Sequence, residues 1–159
     1  MTGPPLAKSS VGEVLKTLFR GALRGDPDIV SLALGDRHGL PVVDAVRGNA
    51  SAMALTAAAA MSLQSGMSAA TTVGLKPAIR IHIHAEDGEL ILYALGKSGY
   101  ALIAQMRPGA NLGLAWMVLE RLGGQLLRIL SDEFGADFAA EPHARLESAG
   151  PAGAELQTP

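Results

Sequence analysis

The sequence lacks cysteine, has few aromatic residues and carries no excess of basic charge. Without cysteine there are no disulfides, thiolate zinc sites, iron–sulfur clusters or thiol nucleophiles, and we expect a cytoplasmic protein. Aromatic residues make up 4% of the chain, and 13 Lys plus Arg face 15 Asp plus Glu. Neither a stacking platform for bases nor a basic surface for phosphates is therefore available, which excludes a nucleic-acid partner.

Long runs of large aliphatic residues are also missing. The stretch 48–75 has no charged residue, but Ala, Ser, Thr and Gly dominate it, so we expect no direct membrane insertion. The first ten residues have no apolar segment behind a basic start, and therefore predict no secretory signal.

The 159 residues, 48% of them apolar, suffice for one domain with tails. We expect a flexible tail over 1–9, a domain over 10–134 and a disordered acidic tail rich in Ala, Pro and Gly over 135–159. Periodicity and turn residues predict helix, two strands, helix, three strands and helix. Their predicted ranges are 10–25, 29–34, 40–45, 51–66, 77–85, 90–95, 100–106 and 112–130. This order argues for an α+β fold with helices packed on one antiparallel sheet.

The central helix is the most informative feature, because it is apolar on several faces. Residues 52–64 contain strong helix formers and no polar stripe. One sheet covers only one side of a helix, and small side chains let a neighbouring helix approach closely. A second copy of the same helix is therefore a natural cover.

The chain offers few groups for chemistry. His82 and His84 share one face of a strand, with Glu86 the only local third ligand, so we interpret them as a solvated strand face and keep a metal site as a weak alternative. If that strand pairs with its own copy, four imidazoles meet, and protonation below about pH 6.5 loosens the pair.

Other polar residues are assigned to turns. Gly96-Lys97-Ser98 lacks the earlier glycine of a phosphate-binding loop and joins two strands. We interpret Asp36, His38 and Asp44 as ordinary polar residues of turns rather than as a catalytic group. We interpret Arg37 and Arg107 as solvated loop residues rather than as an arginine finger for a GTPase. We predict no catalytic residue and no cofactor.

Several segments resemble the Roadblock family, the dynein-light-chain-type regulators of Ras-like small GTPases. The resemblance covers roughly residues 10–134. It lies in the hairpin 30–43 with the turn Asp36-Arg37-His38-Gly39-Leu40, the helix 52–63, the turn Asp87-Gly88-Glu89-Leu90, the strand 96–105 and the helix 109–130.

This resemblance implies the order α-β-β-α-β-β-β-α and a five-stranded antiparallel sheet, with one helix on one face and the two terminal helices on the other, a Roadblock/profilin-like sandwich. It also implies that two copies join through the central helix (51–66) and the third strand (77–85). The implied interface residues are Met53, Ala57, Ala60, Met61, Gln64, Ile79, Arg80, Ile81, His82, Ile83 and His84.

The function implied is that of a non-enzymatic, homodimeric module that binds a Ras-like small GTPase and modulates its nucleotide state. One alternative is a scaffold for another partner, in a motor-type, membrane-anchored or sensor-kinase-type complex. A small-molecule sensor is a weaker alternative, because the chain is short of the aromatic residues that usually line such pockets.

Overall fold

The computed structural model describes residues 6–134, with side chains described for 11–133. Its elements are α1 (Leu6–Gly25), β1 (Ile29–Gly35), β2 (Pro41–Val46), α2 (Ala52–Thr72), β3 (Arg80–Ala85), β4 (Gly88–Ala94), β5 (Ala101–Met106) and α3 (Leu112–Phe134). The strands form one antiparallel sheet in the order β2-β1-β5-β4-β3. The predicted α+β architecture is confirmed. The predicted tail over 135–159, and the first five residues of the other, lie outside the described residues.

Two apolar layers enclose the sheet, because successive strand residues point to opposite faces. On one face, α1 and α3 bury side chains such as Phe19, Leu119 and Leu126 against Ile91 and Leu102. On the other face, α2 is the one described helix that packs against the sheet, through Leu55, Ala59 and Leu63 over Ala33, Leu92 and Ile103. The smaller layer therefore has one helix where the larger has two.

All three described helices are longer than predicted, and α3 continues to Phe134 rather than ending near residue 130. The structure begins α1 at Leu6 rather than Ser10, because Ala7 and Lys8 are themselves good helix formers, so residues 6–9 are helical rather than a flexible tail.

The prediction that α2 ends near Gly66 was wrong, since it continues to Thr72. Gly66 is a close-packing position: a Cβ there would lie 2.6 Å from Ile81 Cδ1. The helix ends at Thr72 because Gly74, two residues later, has a φ of +77° that suits glycine, and the N–H of Leu75 donates back to the Ala70 carbonyl.

Candidate functional site

The outward side of α2 is a surface without charge. Between Ala52 and Thr72 the helix has no charged residue, and its buried positions are confined to one side. Met53 and Met61 are 54% and 69% exposed, Ala57 and Gln64 are exposed, and Ala60 is half-buried. A helix face that exposes two methionines and no charge is a candidate binding surface.

Contacts with the β1–β2 turn hold α2 in place. The buried Thr56 hydroxyl donates to the Gly39 carbonyl at 2.7 Å. Gly39 has a φ of +81°, and a Cβ there would lie 3.2 Å from the Ala57 Cα, so glycine permits the close approach of turn and helix. The Ser51 hydroxyl caps the helix by accepting from the Ala54 N–H at 3.2 Å. These contacts fix the position of the first half of α2, and with it the orientation of its exposed face.

Beside α2, the strand β3 forms one edge of the sheet. Ile81 is half-buried against Gly66, whereas Ile79 and Ile83 are 62% and 38% exposed. A row of unpaired backbone groups next to exposed isoleucines is a template for pairing with another strand.

The predicted interface residues of β3 divide between the two faces of the sheet. Ile81 and Ile83 lie opposite Leu92 and Leu90, on the side of α2. His82 and His84 lie opposite Ile91 and Glu89, on the side of α1 and α3. The structure therefore brings Met53, Ala57, Ala60, Met61, Gln64 and the isoleucines to one surface, while Arg80 and the histidines share only the open strand edge with it.

The two histidines are bound to Glu89, which the sequence-based prediction missed. The Nε2–H of His82 donates to Glu89 Oε2 at 2.6 Å, and the Nδ1–H of His84 donates to Glu89 Oε1 at 2.7 Å. The Glu89 side chain is only 8% exposed. The hydrogen bond from His82, and then that from His84, lower the pKa of the Glu89 carboxyl below its ordinary value of 4.5.

The pairing of β3 with β4 explains why Glu89, rather than Glu86, is the third group. Glu89 is the direct cross-strand neighbour of His84. Among the described residues, no group of three or more His, Cys, Asp or Glu side chains is arranged to hold a metal ion. We call this arrangement of His82, Glu89 and His84 the histidine clamp.

Arg80, at the start of β3, lies next to two aromatic rings. Its guanidinium carbon lies 5.2 Å from the Trp116 ring centroid and 5.8 Å from that of Tyr93, and it pairs with the Glu120 carboxylate. These contacts join the edge strand to α3. Sequence gave no signal for them, because strand and helix residues 40 positions apart meet only in the folded chain.

An open groove of about 510 Å³ lies between the first half of α2 and the sheet. Its walls include Ala54, Ala58, Ile83 and Leu90. At its floor Gln105 accepts a hydrogen bond from the buried Ser31 hydroxyl at 3.0 Å, so part of its polar lining is already paired. The groove continues the uncovered surface between α2 and β3.

Of the residues weighed for catalysis, Asp36 and His38 lie in the β1–β2 turn, whereas the turn assignment of Asp44 was wrong, because it is an exposed residue of β2 paired with Ala33. Asp36 Oδ1 accepts hydrogen bonds from the N–H groups of His38 and Leu40 at 2.8 and 3.0 Å, which shapes the β1–β2 turn. The Ser98 hydroxyl donates to the Leu95 carbonyl at 2.7 Å in the turn between β4 and β5, as expected for a hairpin rather than a phosphate loop. No helix in the described part of the chain is long and apolar enough to cross a membrane.

Comparison with solved structures assigns the fold. A structure described as MglB with tetrameric arrangement is 18% identical, with a TM-score of 0.69 over 83% of this chain and 94% of that chain. A Roadblock/LC7 domain from Streptomyces avermitilis is 20% identical, with a TM-score of 0.67 over 72% and 96%. The gliding protein MglB from Thermus thermophilus is 18% identical, with a TM-score of 0.67 over 83% and 95%.

No protein-family model and no curated protein matches the sequence. The chain has the fold of Roadblock/LC7 domains, and the resemblance found in the sequence is confirmed at the level of the fold. Within that class, MglB structures share its arrangement of helices and strands.

Proposed function

We propose that this protein is a homodimeric, non-enzymatic regulatory module that binds a Ras-like small GTPase and modulates its nucleotide state. The observation that carries the proposal is the charge-free face of α2, which nothing within residues 6–134 covers, beside the edge strand β3. The Roadblock/LC7 fold and its likeness to MglB support a regulatory role.

The proposed dimer pairs like with like. A two-fold axis places α2 against α2 and β3 against β3, so that each copy covers the surface that the other exposes. Pairing of the two β3 strands extends the five-stranded sheet into a continuous ten-stranded one, and the unpaired backbone groups of both edges become hydrogen-bonded.

Regulation of the GTPase follows from differential binding. A module that binds one arrangement of the GTPase switch loops more tightly than another shifts the population toward it, without a catalytic residue of its own. The turn roles of Asp36 and Ser98 fit this proposal. A cytoplasmic location is part of the proposal, because Ras-like GTPases act there.

Two matched methionines test the dimer. Met61 on α2 and Met117 on α3 are 69% and 67% exposed, on opposite faces of the sheet. Met61→Glu places a charge in the proposed interface and should yield a monomer in sedimentation velocity. Met117→Glu should remain dimeric. Equal behaviour of the two variants would argue against α2 as the interface.

Partner binding is tested with purified full-length protein and a Ras-like GTPase from the same organism, loaded in turn with GDP and a GTP analogue. Tighter binding of one nucleotide form supports regulation. Equal binding of both forms favours the scaffold alternative, and no binding of either form removes the GTPase from the proposal.

A further inference from the structure

The histidine clamp lies on the strand edge where a second copy would pair. The Ile79 carbonyl accepts from the Ala94 N–H within the sheet at 2.9 Å. Backbone groups alternate in direction along an antiparallel strand, so Arg80, His82 and His84 direct their N–H and C=O groups to the open edge. The residues that bear the clamp therefore also bear the backbone groups available for pairing between copies.

When two β3 strands pair with the two-fold axis near the middle of the strand, basic side chains of the two copies lie opposite each other. In a two-fold pair of β3 strands, residues that share a face oppose each other, so the axis passes through Ile81, His82 or Ile83. An axis at Ile81 sets His82 opposite Arg80. An axis at His82 sets the two copies of His82 opposite each other and His84 opposite Arg80, and one at Ile83 sets His82 opposite His84.

Nearby negative charges neutralise only part of the positive charge that these registers bring together. Glu89, almost buried one strand away from the edge, has a single negative charge for two imidazoles. Arg80 is already paired with Glu120 of α3. Among the described residues that flank these strands along the chain, Lys76 before β3, Glu86 and Asp87 in the β3–β4 turn and Arg107 after β5 are charged, and none of them opposes an imidazole in the three registers.

The net charge of the histidine clamp depends on how many protons His82 and His84 bind. Two neutral imidazoles satisfy both Glu89 oxygens by donating one N–H each, and a first proton is neutralised by the carboxylate. A second proton leaves each clamp with a net positive charge. The Glu89 side chain is only 8% exposed, and its two hydrogen bonds hold both rings beside it, so the excess positive charge stays at the strand edge.

We propose that the histidine clamp makes the β3 edge acid-sensitive: protonation of both His82 and His84 sets like charges opposite each other and weakens association with a second copy of this chain. This inference rests on the proposed homodimer and deepens it, because it assigns a regulator, the pH, to the same interface. Like charges directly opposite each other across antiparallel strands are destabilising.

Sedimentation equilibrium of the full chain at about pH 8 and about pH 5.5, at equal ionic strength and with EDTA, tests the proposal. The dimer dissociation constant should rise about tenfold on acidification. The double variant His82→Gln/His84→Gln should change by less than about twofold. His38→Gln, in the β1–β2 turn, is the matched control and should keep the full effect.

Circular dichroism at both pH values confirms that each variant is folded. If the double variant does not fold, His84→Gln alone, at a side chain 75% exposed, should still reduce the effect. A dimer with equal dissociation constants at both pH values overturns this inference and leaves the homodimer intact, as does a pH effect that survives in the histidine variants. A monomer at pH 8 overturns the homodimer and this inference with it.

Discussion

At the scale of single residues, two adjacent glycines in α3 have different roles. A Cβ at Gly123 would lie 2.8 Å from Tyr93 Cε1 and 3.0 Å from Leu95 Cδ2, whereas a Cβ at Gly124 meets nothing within 4 Å. From sequence alone, each glycine has the same cost in a helix. Only the position of β4 distinguishes the one that permits close packing from the one that does not.

We expect Gly123→Ala to destabilise the protein by about 1–3 kcal/mol, because the half-buried Tyr93 ring and the Leu95 side chain would have to shift away from the new Cβ. Gly124→Ala should instead stabilise it by up to about 1 kcal/mol through helix propensity. Urea unfolding of both variants measures the difference. Equal stability of the two would contradict the close packing of α3 on Tyr93.

The histidines show how far residue-level prediction extends. Strict alternation with isoleucine correctly gave His82 and His84 one face of one strand. Glu86 was considered only as a local third ligand in the weaker metal-site alternative, and Glu89 was not considered, because a search along the chain does not see across a hairpin. The register of β3 on β4 brings Glu89 to the two histidines.

At the scale of elements, the hairpin of β3 and β4 is held by the histidine clamp as well as by backbone hydrogen bonds. The imidazoles lower the pKa of Glu89 in the folded state. A lowered folded pKa means that the carboxylate contributes stability above its unfolded pKa, near 4.5, and loses that contribution as the pH falls through the folded value.

Glu89→Gln should therefore be less stable than the wild type at neutral pH, and the difference in free energy of unfolding should shrink as the pH falls below about 4.5. Urea unfolding at a series of pH values and one protein concentration measures it. Glu86→Gln, at an exposed turn position, is the control and should show no such trend. A Glu89→Gln difference that stays constant to pH 3 (about one unit or more below the ordinary carboxyl value) would show that the clamp does not act through its charge.

The element α2 was predicted well in character and poorly in length. Its absence of charge and its small residues could be predicted from the sequence. Its C-terminal end could not, because Gly66 resembles a helix stop signal, and only the folded position of β3 shows that it packs against Ile81.

At the scale of the whole molecule, the sheet has two edges of different character. The edge strand β2 begins at Pro41, which has no N–H to offer, and β1 beside it is irregular at Leu34/Gly35. The edge strand β3 is a regular strand next to the uncovered face of α2. Of the two sheet edges, we therefore expect association to use β3, together with α2, and not β2.

A lysine at matched positions on the two edges tests this expectation. Ile83 and Val42 are 38% and 45% exposed. Ile83→Lys should shift the protein to monomer in size-exclusion chromatography with light scattering, because it places a charge where two β3 strands meet. Val42→Lys should leave the dimer unchanged. A dimer that tolerates Ile83→Lys and is lost with Val42→Lys would place the interface at the other edge.

The sequence by itself determined the order of elements, the faces of the strands and the charge-free character of α2. These depend on the spacing of neighbouring side chains, which periodicity records directly. Tertiary structure alone decided that Glu89 meets two histidines, that Arg80 lies against Trp116 and Tyr93, and that one glycine of a pair is a contact. Those arrangements join residues distant in the chain, and only the packing of the sheet against its helices sets such distances.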